Sequence, residues 1–339
     1  MAEQMNAWQL DTPGNIQETL KLNQSAARPT AKDLKGQEIL VQVSSASINP
    51  ADYKGMQLGF IVRTVISFPK TLGMDLSGKV LAVGPAVTDI LVGDHVLGRL
   101  NPLKASGALA EYAILERDGY AKINRDVDLD QAAGAGTAAL TAYQCIKPFV
   151  KAGDKIFING GSGGTGTFGI QIAKILGCHV TVTCSTAKAA LCKELGADEI
   201  IDYKTTDILS ALQKAGPIYS VFIDNVGAVS KLFPKSSSFL LPTAPFLSVS
   251  SGGSLGHVVE VFSAYLRPSF LGGGKNRFMR YWAQNSRNDF QQLAEWYNKK
   301  SLISVIDSTY ELGDVLAAFE QLKRGSSIGK IIIHITPRL

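Results

Sequence analysis

A glycine cluster set between a strand and a helix constrains this chain more than any other stretch. In Lys155–Lys188, KIFINGGSGGTGTFGIQIAKILGCHVTVTCSTAK, the apolar run Ile156-Phe157-Ile158 enters Gly160 to Gly166. A helical pattern follows, with Ile170, Ile172, Ala173, Ile175 and Leu176 on its buried side. Gly161, Gly163 and Gly166 stand at G-x-G-x-x-G spacing, where glycine permits a sharp turn, close backbone approach to a pyrophosphate and tight packing of helix on strand. Free N–H groups and the positive dipole end favour an anion at the helix start. Ordinary loops also carry glycine clusters. Here the strand before, the helix after and a second strand at His179–Thr183 supply the context of a dinucleotide site, with Gly161, Ser162, Gly163, Gly164, Thr165 and Gly166 as its contacts.

The end of that second strand bears on which dinucleotide fits. An NAD site usually places Asp or Glu about 20 residues after the glycines, to accept from the ribose 2′-hydroxyl. This chain reads Thr183-Cys184-Ser185-Thr186-Ala187-Lys188. Two hydroxyls and an ammonium, with no carboxylate among them, suit a 2′-phosphate, so NADPH is the expected cofactor. Ser185 and Thr186 also suit the cap of a following helix, and one hydroxyl can do both.

At 339 residues the chain fits two domains, and 45% hydrophobic with 19% charged residues is the composition of a soluble globular protein. A formal charge of +5 with dispersed Lys and Arg implies neither nucleic-acid nor membrane binding. The start, MAEQMNAWQLDTPG, has no leader-like pattern and no apolar run approaches membrane-spanning length, so a cytoplasmic location is expected. Cys145, Cys178, Cys184 and Cys192 fall at no metal-ligand spacing and read as reduced core thiols.

In chain order, residues 1–126 alternate and turn often, with strands expected at Glu38–Ser44, Leu76–Val83, Asp94–Gly98 and Leu109–Leu115, a β-rich, barrel-like domain. From Asp128 an Ala- and Gly-rich helix runs through Thr137 and Thr141. Residues 127–268 then read as a nucleotide domain of alternating strand and helix, a doubly wound parallel sheet, and 269–339 as a return to the first domain. Ligands meet the carboxyl ends of such strands, which puts Tyr203, Asn225 and Ser250 against the cofactor. The apolar segment Phe239–Val249 is a candidate edge for a homodimer, although Pro242 and Pro245 interrupt it, so monomer and homodimer both stay open.

Several motifs in fixed order extend over nearly the whole chain: Asn49-Pro50-x-Asp52, Gly73-x-Asp75-x-x-Gly78, Gly93-Asp94-x-Val96, the glycine turn, Leu195-Gly196-Ala197-Asp198 with Ile201-Asp202-Tyr203, and Gly329-Lys330-Ile-Ile-Ile. Together they resemble the zinc-free branch of the medium-chain dehydrogenase/reductase superfamily, the quinone oxidoreductase and enoyl reductase-like proteins. The resemblance implies a Rossmann domain inserted in a split GroES-like catalytic domain. It also implies that backbone at Gly163, Gly164 and Thr165 cradles the diphosphate, that Ser185, Lys188 and Tyr203 hold the 2′-phosphate, and that Asn49 and Thr141 flank the nicotinamide. Lys330, Leu271 and Gly272 become further cofactor or lid contacts.

Departures from the zinc alcohol dehydrogenases of that superfamily are equally informative. Those enzymes supply Cys where Asn49 stands and a His-Glu pair where Met74-Asp75 stands, and no Cys precedes position 145 here, so no catalytic metal is expected. Without an alkoxide stabiliser, reduction of a conjugated carbonyl asks least of the site. The expected activity is NADPH-dependent reduction of an activated C=C bond in an apolar enone or enoyl metabolite. NADPH:quinone reduction is the alternative, and a non-catalytic NADPH-binding sensor or partner protein the alternative of another class. Thioester-reducing mitochondrial relatives carry a tyrosine donor where this chain has Phe60, which weakens a fatty-acid assignment. Tyr53 and Tyr281 are candidate proton donors, and both also suit packing.

Overall fold

The computed structural model describes residues 3–249, 262–267 and 273–336, apart from the side chains of Leu58 and Phe60. Two compact units divide the chain, residues 1–140 with 284–339, and residues 141–283. Among the described residues no helix is long and apolar enough to cross a membrane.

The first unit opens with β1 (Gln4–Leu10), β2 (Leu20–Ala27), β3 (Ile39–Ile48), β4 (Lys70–Thr71), β5 (Asp75–Val83), β6 (His95–Arg99), β7 (Tyr112–Leu115) and β8 (Tyr120–Ile123). In the second unit follow β9 (Lys155–Asn159), β10 (His179–Cys184), β11 (Glu199–Asp202), β12 (Tyr219–Asp224), β13 (Pro245–Ser248) and β14 (Arg277–Arg280). β15 (Ile306–Glu311) and β16 (Lys330–His334) return to the first. Its main sheet runs β15-β16-β3-β5-β6-β8, with β7 also on β3, and β2-β1-β4 form a smaller one. β3, ILVQVSSASI, is buried on both faces over most of its length, as befits a strand at the centre of the unit. Its register sets Ser47 opposite Asp75 of β5 on one side and Ile332 of β16 on the other. One end of β3 therefore gathers Ser47, Asn49, Asp75 and Lys330.

The second unit's sheet is wholly parallel, in the order β11-β10-β9-β12-β13-β14. The chain winds outward from β9 through β10 to β11, then begins again on the other side of β9 at β12. That reversal opens a crevice between the carboxyl ends of β9 and β12, where doubly wound sheets bind ligands. Phe222 of β12 stacks between Phe157 of β9 at 4.7 Å and Phe246 of β13 at 4.5 Å, all three fully buried.

Both unit boundaries and two local features differ from the sequence expectation. The units divide at 140/141 and 283/284 rather than 126/127 and 268/269. The helix Leu129–Ala133 stays with the first unit because Asp130 accepts from Ser45 of β3 and pairs with His334 of β16. At the other end β14 prolongs the parallel sheet through its pairing with β13. The expected single helix after Asp128 is two, Leu129–Ala133 and Gly136–Ile146. Phe239–Val249 is no free edge, since β13 is flanked by β12 and β14, and Pro245 opens that strand where a missing N–H is tolerated.

Truncating Phe222 to Ala removes the middle ring of the stack. Urea unfolding should show a loss of about 3–5 kcal/mol, and a loss below about 1 kcal/mol would contradict a core role for the stack.

Candidate functional site

The three glycines of the turn do three different things. A Cβ on Gly161 would lie 2.8 Å from Val182 of β10, so the turn fits closely under that strand. A Cβ on Gly166 would lie 2.1 Å from the Gly160 carbonyl oxygen, which lets the helix Gly164–Ile175 start hard against the turn. Around Gly163 no described atom lies within 4 Å of an added Cβ, an open cradle directly at the helix N-cap. Among the described residues no side chain caps this helix and no acidic residue stands in its first turn. Its exposed N–H groups and dipole are thus available to a diphosphate. Ser162 is buried and Thr165 half-buried beside the cradle.

At the ends of β10 and β11 the structure gathers Ser185, Lys188 and Tyr203. Ser185 caps a short 3-10 turn, Thr186–Lys188, and its carbonyl accepts from Lys188 N. Tyr203 N donates to the Cys184 carbonyl at 3.2 Å, which brings the half-exposed phenol to the same corner, with the Lys204 ammonium 5.7 Å from its ring centre. The nearby Asp202 carboxylate accepts from the Thr186 hydroxyl and from Lys204 N, and these bonds hold its pKa below the ordinary value.

On the other side of the crevice stand polar groups whose partners are missing. Asn225, just after β12, has both amide atoms buried with no hydrogen-bond partner among the described residues, and so does the Ser248 hydroxyl at the end of β13. Unpaired buried polar groups are costly, and a bound polar molecule would satisfy them. An open cradle, an uncapped helix start and orphaned polar atoms on the facing strands fit a nicotinamide dinucleotide. Ser250, Leu271 and Gly272 lie outside the described residues.

The first unit holds a buried charge cluster. Asp75, fully buried, accepts from Asn49 Nδ2 at 2.8 Å, Ser47 Oγ at 3.2 Å, Thr137 N at 2.8 Å and Thr137 Oγ1 at 2.6 Å. Gly136 makes this possible, since a Cβ there would meet the carboxylate at 2.4 Å. The Lys330 ammonium donates to Asn49 Oδ1 at 2.5 Å and to the Ile48 carbonyl, 3.6 Å from Asp75. A cation on its oxygen and a carboxylate on its nitrogen fix the orientation of the Asn49 amide. Asp52 accepts from Asn49 N at 2.6 Å; burial, reinforced by Asp75, pushes it up to about 7. Burial lowers Lys330 and brings Lys70 down to about 8.

This cluster does not fit a zinc ion. Where zinc enzymes offer soft or imidazole ligands it offers an amide, a thioether and a carboxylate already facing an ammonium, and no group of three or more His, Cys, Asp or Glu among the described residues could hold a metal. Lys330, expected to touch cofactor, is buried with its ammonium on Asn49 Oδ1 and the Ile48 carbonyl. Tyr53 is buried with its ring edge-on to Phe319 at 6.3 Å and under the Lys323 ammonium, a packing position, and burial raises its pKa. The Tyr281 hydroxyl donates to Gln144 Oε1 at 2.9 Å. Thr141 is buried in the helix Gly136–Ile146. Sequence reasoning does not single out Asp75, Asp224 or Asn159 as site residues; Asp75 carries the signal of its Gly73-x-Asp75-x-x-Gly78 motif, and Asp224 and Asn159 only that of a polar residue ending an apolar strand run.

Folded Asp52 holds its proton to about pH 7, whereas the unfolded chain releases it near 3.8. Stability should therefore fall as pH rises between about 4 and 7, and Asp52→Asn, which keeps an acceptor for Asn49 N, should flatten that slope in urea midpoints measured across the range. A slope unchanged by the substitution would contradict the assignment. Gly163→Val should abolish dinucleotide binding in a fluorescence titration while leaving the melting temperature close to that of the unsubstituted protein; retained affinity would make the turn merely structural.

Residues 35–125 match the alcohol dehydrogenase GroES-like domain family, and residues 195–333 the family described as zinc-binding dehydrogenase. Trans-enoyl reductase pgmF of Aspergillus terreus is 39% identical over 343 residues, covering 98% of this chain and 96% of that protein. The 2-methylene-furan-3-one reductase of Solanum lycopersicum is 30% identical over 344 residues, 98% of this chain and 80% of that one. Among solved structures, the quinone oxidoreductase from Coxiella burnetii superposes with a TM-score of 0.82 at 28% identity, covering 98% and 100% of the two chains. With its GroES-like first unit and its six-stranded parallel second unit, the chain belongs to the medium-chain dehydrogenase/reductase superfamily of oxidoreductases.

Proposed function

We propose that this protein is an NADPH-dependent, metal-independent reductase of C=C bonds conjugated with a carbonyl. The observation that carries the reading is the interior of the first unit, where Lys330 binds Asn49 beside Asp75 and leaves no ligand set for a Lewis acid. Reducing a simple ketone or oxidising an alcohol requires charge stabilisation directly on the carbinol oxygen. A conjugated acceptor spreads that charge over the enolate. The names of the Aspergillus and Solanum relatives support the same chemistry.

The chemistry a reduced nicotinamide would supply here, once bound in the crevice, is hydride for the β-carbon of the acceptor. The chain's own part is to bind and orient. Gly163, Gly164 and Thr165 receive the diphosphate at the helix start, and Ser185, Lys188 and Tyr203 receive the 2′-phosphate, which favours NADPH over NADH. Asn225 and Ser248 offer buried polar atoms to the other half of the dinucleotide. With Tyr53 packed on Phe319 and the Tyr281 hydroxyl given to Gln144, the enolate takes its proton from water.

Consumption of NADPH, followed by its near-ultraviolet absorbance, should be seen with an α,β-unsaturated ketone or enoyl thioester and not with a simple aldehyde. Turnover of a quinone alone would instead favour the activity named for the Coxiella protein, and NADPH binding without any turnover would favour a sensor. Lys188→Ala should raise the Michaelis constant for NADPH about 10-fold while barely changing that for NADH. An equal effect on both cofactors would contradict the 2′-phosphate assignment.

A further inference from the structure

The glycine turn does not stand on its own residues. Asp224, at the end of β12 and fully buried, accepts from the backbone N–H of Val226 at 3.1 Å, Gly227 at 3.1 Å and Ala228 at 2.7 Å, which folds the loop after β12 around its carboxylate. The same carboxylate accepts from Asn159 Nδ2 at 2.9 Å. Asn159, at the end of β9, turns its Oδ1 to the Thr183 hydroxyl of β10 at 2.7 Å, and the Thr183 oxygen in turn accepts from Gly160 N at 2.8 Å.

Direction is enforced at every step. The carboxylate receiving the three backbone N–H groups has acceptor capacity to offer Asn159, so the amide must present its NH₂ there and its oxygen to Thr183. The Thr183 proton is thereby spent on Asn159, which leaves its lone pairs for Gly160. Gly160 has a φ of +85°, a conformation open to glycine, and a Cβ on it would lie 2.8 Å from Val226 in the loop that Asp224 folds. The chain of bonds thus ties the turn after β9 to the loop after β12, the two walls of the crevice, through buried side chains on three adjacent strands.

We propose that Asp224, Asn159 and Thr183 are positioning residues for the dinucleotide, a buried relay that sets the path of the glycine turn without touching the ligand. The inference rests on the reading of this crevice as the NADPH site. Binding alone tests it, whatever substrate is reduced. Thr183→Val is nearly isosteric and deletes the acceptor for Gly160 N while leaving the Asp224 loop intact; Thr183→Ser keeps the hydroxyl.

Fluorescence titration with NADPH on the full chain, with thermal melting as the control for folding, should give Thr183→Val a dissociation constant raised about 10-fold and Thr183→Ser one within about 2-fold of the unsubstituted protein. Asp224→Asn should weaken binding in the same direction. Because both substitutions break one chain, the double variant should lose less than the product of the two single losses. Unchanged affinity in Thr183→Val, failure of Ser to restore it, or multiplicative losses in the double variant would each overturn the relay. An unsubstituted protein that binds NADPH but reduces no conjugated acceptor would contradict the proposed activity and leave the relay standing; one that binds no nicotinamide nucleotide would remove both.

Discussion

A Cβ on Gly166 would stand 2.1 Å from the carbonyl oxygen of Gly160, and the second unit is built around the contact that its absence allows. Because helix and turn approach too closely to leave room for a Cβ, the helix start is aimed at the crevice between β9 and β12 rather than past it. Gly163 stays open in front, and Gly161 tucks beneath Val182. One site of forced close approach thus fixes where an anion can rest. The aromatic stack of Phe157, Phe222 and Phe246 below gives β9, β12 and β13 a rigid base.

In the first unit the corresponding constraint is electrostatic. Asp75 is fully buried yet takes bonds from Ser47, Asn49 and Thr137 and faces the Lys330 ammonium. A buried ion pair contributes little net stability, but removing one partner leaves a charge stranded in the interior at a cost of about 3–5 kcal/mol. What the arrangement secures is geometry: Asn49 is held by both ends of its amide, and Asp52 accepts from its backbone N–H. An amide and a carboxylate already facing an ammonium leave that place with no ligand set for zinc, although residues 195–333 match a family described as zinc-binding dehydrogenase.

Features set by neighbours in sequence were legible beforehand. The strand, glycine turn and helix of residues 155–175 lie in one local run, and the alternation of strand and helix through Asp224 carries its period on the surface of the text. Contacts between distant residues were not legible. Lys330 and Asn49 are 281 positions apart, so nothing local showed that the lysine would be spent inside the protein. Asp224 and Asn159, 65 apart, read as ordinary strand ends until the sheet order set them side by side. β14, Arg-Phe-Met-Arg, is too short for a period and buries only Phe278, so its place in the sheet was hidden, and with it the second domain boundary. The first boundary was misplaced because His334, near the chain end, holds Asp130 to the first unit.

The proposed chemistry passes hydride to a conjugated carbon and not to a carbonyl. The most direct measurement uses NADPH carrying deuterium at the transferred C4 position, an enone as acceptor, and location of the label in the product by mass spectrometry and NMR. The expected product is a saturated ketone with one deuterium on the carbon β to the carbonyl and a solvent proton on the α-carbon. Deuterium on a carbinol carbon of an unsaturated alcohol would contradict it.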